Sequence, residues 1–79
     1  MSKYKVGDRV LVRNDLKNET WYGDNTFVSS MRGLLGKIAT IKEVNYDGQY
    51  RLAEHPISFH RWTNEMFVGK LIGNKVEVQ

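Results

Sequence analysis

The 79-residue chain contains no cysteine and one proline, and it has no apolar run near the roughly 20 residues that span a membrane. Without cysteine, neither a disulfide framework nor a thiolate metal site can form, so the fold needs no oxidising compartment. The N-terminus has no apolar segment of the signal-peptide type. We therefore expect one small soluble domain in the cytoplasm, without membrane contact.

The motifs of common enzymes are also missing. Ser29 and Ser30 lie outside any Gly-x-Ser-x-Gly context, and the sequence pairs neither of them with a base. The only histidines, His55 and His60, offer together with Glu54 fewer ligands than a structural zinc ion requires. We expect no catalytic residue, no bound metal and no cofactor, and hence a protein that is not an enzyme.

The net charge of +3 is unevenly distributed. Residues 1–17 carry five basic and two acidic side chains, residues 18–68 carry five basic and six acidic ones, and residues 69–79 carry two basic and one acidic. A mildly basic edge of this kind can contact phosphates, but it is sparser than the stripe that drives tight binding of nucleic acid. The candidate nucleic-acid contacts are Arg9, Arg13, Arg32, Lys37 and Arg61.

Apolar and polar residues alternate in several short runs, which predicts strands. The first run holds Val10 and Val12, and the second covers residues 37–44, where the alternation slips near Val44 and indicates a bulge or a strong twist. Further strands are predicted at residues 49–53, 61–63 and 67–68. The expected core consists of Val10, Val12, Ile38 or Ala39, Ile41, Val44, Tyr50, Leu52 and Phe67.

The connections complete this all-β prediction. Asp47 and Gly48 predict a hairpin turn of type I′, and residues 64–66 predict a single 3₁₀ turn before the last strand. Within the long excursion 16–35, Asn25 or Thr26 could cap one helical turn over residues 27–32. A Gly-Asp turn that enters one strand and a Gly-Lys step that enters the next are typical of small SH3-like barrels. We therefore predict such a barrel, of about five antiparallel strands, over residues 1–68, followed by an extension 69–79 that forms an extra hairpin or a frayed tail.

Aromatic residues in polar segments form the candidate binding site. They lie off the alternation that defines the interior, and aromatic anchors provide a large contact area with few torsions to restrict. Either they converge on a shallow groove that captures a peptide, or the two tryptophans fold down over the core. The predicted partner-binding residues are Trp21, Tyr22, Phe59, His60, Arg61 and Trp62.

A set of short motifs resembles a family of small proteins from phages and prophages of Gram-positive bacteria. The motifs are Lys5-Val6-Gly7-Asp8-Arg9-Val10, Tyr22-Gly23, Phe27-Val28-x-x-Met31, Gly36-Lys37, Ile41, Tyr50 and Trp62-Thr63-x-x-Met66. The pattern is also similar, more distantly, to the SH3-like repeats of the Mind bomb ubiquitin ligases. The phage family implies no chemistry. The Mind bomb repeats imply a module that binds peptides, without transferring any contact residue.

Three functions therefore stay open. The first is a protein-binding module that recognises a host protein through the aromatic groove, with inhibition of that protein as one form of this function. The second is an accessory protein of the KOW or Tudor type that binds nucleic acid weakly, and the third is a small enzyme or a protein that sequesters nucleotides. The interleaving of acidic and basic residues favours the first, and a monomer is the expected state.

Overall fold

The computed structural model describes residues 3–54 and 60–79. In these residues the regular elements are seven short strands and two 3₁₀ helices, which confirms the all-β prediction. The elements in chain order are β1 (Arg9–Val12), β2 (Thr20–Tyr22), β3 (Asn25–Phe27), the 3₁₀ helix η1 (Ser29–Leu34), β4 (Ile38–Val44), β5 (Tyr50–Leu52), the 3₁₀ helix η2 (Asn64–Met66), β6 (Phe67–Ile72) and β7 (Lys75–Val78).

Five of the strands form one antiparallel sheet in the order β5-β4-β1-β6-β7, and β2 pairs with β3 in a separate hairpin. The register between β4 and β5 shifts between Ile41 and Glu43, so β4 has an irregularity close to Val44, where the sequence predicted one. Within the described residues β5 and β7, the two ends of the sheet, do not pair with each other. Closure into an SH3-like barrel stays a prediction.

β6 is longer than the two residues predicted for the last strand. It continues through Gly69 to Ile72 and turns through Gly73 and Asn74 into β7, which pairs along β6 from Lys75 to Val78. The segment 69–79 therefore contains the second half of β6 and all of β7.

The interior is a single cluster built around aromatic rings. Tyr50 and Phe67 lie next to Tyr4, and the Trp62 ring stacks on Phe67 with 6.3 Å between the ring centroids. The Phe27 ring packs edge-on against Trp62 at 6.2 Å. Most of the predicted core is buried, namely Val10, Val12, Ala39, Ile41, Tyr50, Leu52 and Phe67. Ala39 rather than Ile38 points inward, and Val44 is only partly buried.

Two local predictions need correction. The helical turn predicted over residues 27–32 is present as η1 but begins two residues later, at Ser29 after the extended Val28, and neither Asn25 nor Thr26 caps it, because both belong to β3. The strand predicted at residues 61–63 is a single bridge between Tyr50 and Trp62.

The turn at Asp47 and Gly48 is not of type I′. Type I′ needs positive φ at both central residues. Gly48 has φ of 84°, but Asp47 does not have positive φ, because Glu19 is the only non-glycine residue with positive φ in the described part of the chain. The Gly48 N–H instead donates to the Asn45 carbonyl at 2.9 Å, and the Asn45 N–H donates to the Gln49 carbonyl at 2.8 Å.

Candidate functional site

The β2–β3 hairpin carries Trp21, which is the most exposed of the predicted aromatic site residues that the structure describes. Trp21 pairs with Thr26 across the hairpin, and Thr20 pairs with Phe27. Because side chains alternate along a strand and Phe27 is fully buried, Trp21 and Thr26 must lie on the opposite, outward face. Trp21 is accordingly 69 % exposed.

The hairpin is fixed to the main sheet by hydrogen bonds near its turn. The Thr63 hydroxyl donates to the Tyr22 carbonyl at 2.6 Å, and the Asn25 amide donates to Gln49 Oε1 and to the Arg61 carbonyl, each at 3.2 Å. With Phe27 in the core, these contacts hold β2 and β3 at both ends. The β2–β3 hairpin, residues 20–27, is therefore a fixed platform for Trp21 rather than a free loop.

A small pocket of about 130 Å³ is lined in part by residues of β3. Directly paired residues of an antiparallel hairpin have Cβ atoms about 4.5–5.5 Å apart, so Trp21 lies next to Thr26, one of the residues that line this pocket. The lining residues are Asn25, Thr26, Val28, Met31, His60 and Arg61.

A second, larger cleft lies at the turn of the same hairpin. Its volume is about 250 Å³, and its acidic residues come from three separate segments: Asp24 in the hairpin turn, Asp47 in the β4–β5 turn and Glu65 in η2. None of the described lining residues is basic. Gly23 makes room for the Glu65 carboxylate, because a Cβ at position 23 would overlap Glu65 Oε1. This cleft is therefore an acidic depression.

The structure brings together only part of the predicted partner-binding set. Trp21 is exposed, and His60 and Arg61 share a pocket with its cross-strand partner Thr26. Tyr22 is half-buried: its hydroxyl accepts from the Lys17 N–H at 2.8 Å, and the Arg13 guanidinium lies 5.6 Å from its ring centroid. Phe59 lies outside the described residues.

The prediction for Trp62 was wrong. Its side chain is fully buried between Phe27 and Phe67, and its backbone bridges Tyr50 through two hydrogen bonds of 2.8 Å each. A ring as large as indole, set among aromatic neighbours in the interior, stabilises the fold through buried apolar area. Trp62 is a core residue.

The candidate nucleic-acid residues come from four separate segments of the chain. Arg9 and Arg13 lie on or just after β1, Arg32 lies in η1, Lys37 precedes β4, and Arg61 lines the same pocket as Thr26. The Arg13 guanidinium binds the Asp15 carboxylate through two contacts of 2.9 Å. This hydrogen bonding lowers the pKa of Asp15 and raises the pKa of Arg13, so both groups stay charged and engaged with each other.

Folding also brings Ser30 and His60 together, a pairing that the sequence did not indicate. The Ser30 hydroxyl lies 3.4 Å from Nδ1 and 3.3 Å from Nε2 of His60. A serine activated by histidine has one ring nitrogen within about 2.6–3.2 Å of its hydroxyl. Here the hydroxyl is nearly equidistant from both nitrogens and beyond that range, so the contact has the geometry of a packed surface pair.

Neither a metal-binding cluster nor a membrane-spanning helix occurs in the part of the chain that the structure describes. Across residues 3–54 and 60–79, no three His, Asp or Glu side chains are grouped as a metal site would need. Neither 3₁₀ helix in the described part, nor any other helix there, has the length and apolar character to cross a membrane.

Sequence reasoning missed Thr26, Asn25 and Thr63, which shape the platform. The available signal was Gly23 followed by Asp24, since glycine at the first of two turn residues is typical of a type II′ hairpin. Gly23 has φ of 68° as that turn requires.

Comparison of the chain with protein-family models, with curated proteins and with solved structures found no match.

Proposed function

We propose that this protein is a non-enzymatic module that binds a protein or peptide partner through Trp21 and the adjoining pocket. One observation carries the proposal: an indole that is 69 % exposed stands on a hairpin that is hydrogen-bonded to the rest of the domain. A large apolar side chain with few torsions, carried on a backbone that is already held in place, loses little conformational entropy on binding, as an interface anchor should.

The pocket complements the anchor with polar and apolar groups. Val28 and the buried Met31 supply apolar surface, while Thr26, His60 and Arg61 supply hydrogen-bonding groups at its edge. A mixed apolar and polar surface of this kind suits a peptide segment that has an apolar side chain and a polar backbone.

The charge distribution favours a protein partner over a nucleic acid. On the turn side of the hairpin, Asp24, Asp47 and Glu65 line one cleft, and their carboxylates would repel phosphates close to Trp21. Arg13, one of the residues expected to contact phosphates, is already paired with Asp15. A partner segment with lysine or arginine beside its apolar anchor would match both surfaces.

The resemblance to small phage and prophage proteins supports a partner from a bacterial host, met in the host cytoplasm. A phage protein of this size that covers a functional surface of a host protein would act as its inhibitor. These points rest on the resemblance alone.

The test is a pair of matched aromatic substitutions. The protein would be used to capture partners from a bacterial lysate, and the captured partner would be purified and titrated calorimetrically. Trp21→Ala should weaken binding by at least about 2 kcal/mol, because a central aromatic anchor contributes that much, while the thermal midpoint changes little. Tyr46→Ala is the control for loss of an exposed aromatic ring, because Tyr46 is fully exposed and lines neither pocket.

Binding that survives Trp21→Ala would refute the proposed site. The nucleic-acid function would be supported instead if the protein bound generic DNA and its binding constant fell steeply as the salt concentration was raised. Trp62→Ala cannot serve as a binding test, because loss of this buried ring should cost about 3–5 kcal/mol of stability.

A further inference from the structure

The outer edge of β7 is an unpaired strand edge. β7 is the last strand in the order β5-β4-β1-β6-β7, and within residues 3–54 and 60–79 no strand pairs with its outer side. At the other end of the sheet, β5 is covered by the bridge between Tyr50 and Trp62. Exposed strand edges favour pairing with another strand unless they are blocked by a bulge, a proline or unfavourable charges. β7 contains neither a bulge nor a proline.

The backbone of β7 presents its free groups at Val76 and Val78. The Gln79 N–H donates to the Val68 carbonyl on β6 at 3.1 Å. Because every second residue of a strand points its N–H and C=O toward the same neighbour, Lys75 and Glu77 also face β6. Val76 and Val78 therefore direct their N–H and C=O groups outward, away from the sheet.

We propose that a second copy of this chain pairs with β7 in antiparallel orientation about a twofold axis at Val76. In this register the Val76 N–H of each copy donates to the Val76 carbonyl of the other, and the outward-facing backbone groups are satisfied. The same register places Lys75 of one copy opposite Glu77 of the other, twice. These two residues form the pairs without backbone hydrogen bonds, in which side chains approach most closely.

Neighbouring registers are less favourable. A shift by two residues puts Glu77 opposite Glu77 or Lys75 opposite Lys75, which places like charges in direct contact. A shift by one residue places Val76 of one copy opposite Glu77 of the other. The N–H and C=O groups of Glu77 point toward β6, so the hydrogen bonds between the copies could not form. Charge and hydrogen bonding therefore select the same alignment.

The apolar outer face of the sheet supports the same arrangement. The pairings Ile38↔Leu11, Leu11↔Gly69 and Gly69↔Val78 form one row across four strands, and Leu71↔Val76 lies in the next row on the same face. Val78 is 71 % exposed in the single chain. With two copies joined at β7, Val76 meets Val76 on this face, and Leu71 of each copy flanks the pair.

The test uses two single charge reversals. Lys75→Glu places glutamates opposite each other in its own dimer, and Glu77→Lys does the same with lysines. Each variant alone should dimerise at least about tenfold more weakly than the unmodified protein, as measured by sedimentation equilibrium. An equimolar mixture of the two restores opposite charges at both positions, so its dimerisation should return to within a few-fold of the unmodified protein. A change that only damaged the monomer would not be rescued by mixing.

Val76→Pro tests the backbone contact. It removes an N–H that points away from β6, a position where a strand tolerates proline, so circular dichroism should be unchanged while dimerisation is lost. Val76→Thr keeps both the N–H and the branched side chain and should dimerise normally. The proposal is overturned if the unmodified protein stays monomeric up to millimolar concentration, if the mixture shows no rescue, or if Val76→Pro dimerises like the unmodified protein.

Discussion

A single hydroxyl group organises the polar part of the interior. The Tyr50 hydroxyl donates to Asn64 Oδ1 at 2.7 Å and accepts from the backbone N–H groups of Lys3 and Tyr4 at 3.0 and 3.2 Å. Tyr50 has no exposed surface. The hydroxyl thus joins the N-terminal segment to η2 through one buried atom.

Replacing Tyr50 by phenylalanine should lower the free energy of unfolding by about 1–3 kcal/mol. The ring and its packing remain, but the Tyr4 N–H and the Asn64 side chain lose a buried partner, and unsatisfied buried polar groups cost that much. Urea denaturation would measure the change. Tyr46→Phe is the control, because Tyr46 is fully exposed and should give no change; equal stabilities for the two variants would contradict this role for the Tyr50 hydroxyl.

The two tryptophans show what sequence can and cannot predict about one residue. Both lie in polar segments, and both were predicted to be on the surface. Trp21 alternates with Thr20 and Tyr22 in a strand whose inward face is set by Phe27, and Trp62 meets the sheet through one bridging residue. A single bridge has no period, so no local pattern could show that Trp62 belongs to the core.

At the scale of elements, Gly69 allows β6 and β7 to approach closely. This glycine is buried, and a Cβ at its position would overlap the Glu77 carbonyl and approach the Val78 Cα. Its φ is not positive, so the requirement is for space rather than for an unusual backbone conformation. The β6–β7 pairing therefore depends on the absence of a side chain at one position.

Gly69→Ala should weaken the β6–β7 pairing and destabilise the protein by about 1–3 kcal/mol, because the added methyl group meets backbone atoms that cannot move aside cheaply. Hydrogen exchange should show loss of protection in β7 before any loss in β4. Gly33→Ala is the matched control, since nothing lies within 4 Å of a Cβ there and it should be neutral or slightly stabilising. Unchanged protection in β7 would show that the strand can shift to accommodate the methyl group.

The elements with a clear sequence signal were predicted well. Alternation located β1, β4 and β5, and the turn before β6 appears as η2 over the predicted residues. The β2–β3 hairpin was missed because two strands of three residues each are too short to show a period. The predicted last strand ended too early because a glycine weakens a strand and was taken to end it. Only the position of β7 shows that Gly69 is needed for close packing between β6 and β7.

The candidate site was less predictable than the fold for the same reason. Trp21, His60 and Arg61 were named from composition and placement, but their grouping depends on the register of the β2–β3 hairpin and on its hydrogen bonds to Thr63 and to the Arg61 carbonyl. Such contacts join residues some 36 to 41 positions apart. Contacts between residues so far apart in the chain cannot be predicted from a local sequence pattern.

At the scale of the whole molecule, Tyr4 links distant parts of the chain. Its ring packs edge-on against Tyr50 and Phe67, each at 5.6 Å between centroids, and its hydroxyl donates to Gln79 Oε1. The Gln79 amide in turn donates to the Phe67 carbonyl at 2.8 Å. The segment before β1 and the residue after β7 are thereby held against the aromatic core.

This environment predicts how global stability changes in alkaline solution. Burial, reinforced by the proximity of Tyr50 and Asp8, raises the pKa of Tyr4 from 10.0 to about 12. Below pH 10 both folded and unfolded chains keep this proton, so the contribution to stability is fully present. As the pH rises from about 10 to about 12, the unfolded chain releases the proton first, and the free energy of unfolding must fall with increasing pH.

Tyr4→Phe should therefore flatten the decline of stability above pH 10, although the variant is less stable at neutral pH because the hydrogen bond to Gln79 is lost. Urea denaturation at a series of pH values on both sides of 10 would measure the two slopes, and the other tyrosines contribute equally to both proteins. Tyr46→Phe should keep the slope of the unmodified protein, because Tyr46 is fully exposed. If the free energies of unfolding of Tyr4→Phe and of the unmodified protein ran parallel with pH, Tyr4 would release its proton equally readily in the folded and unfolded chains. Contact with the core would then not raise the pKa of Tyr4.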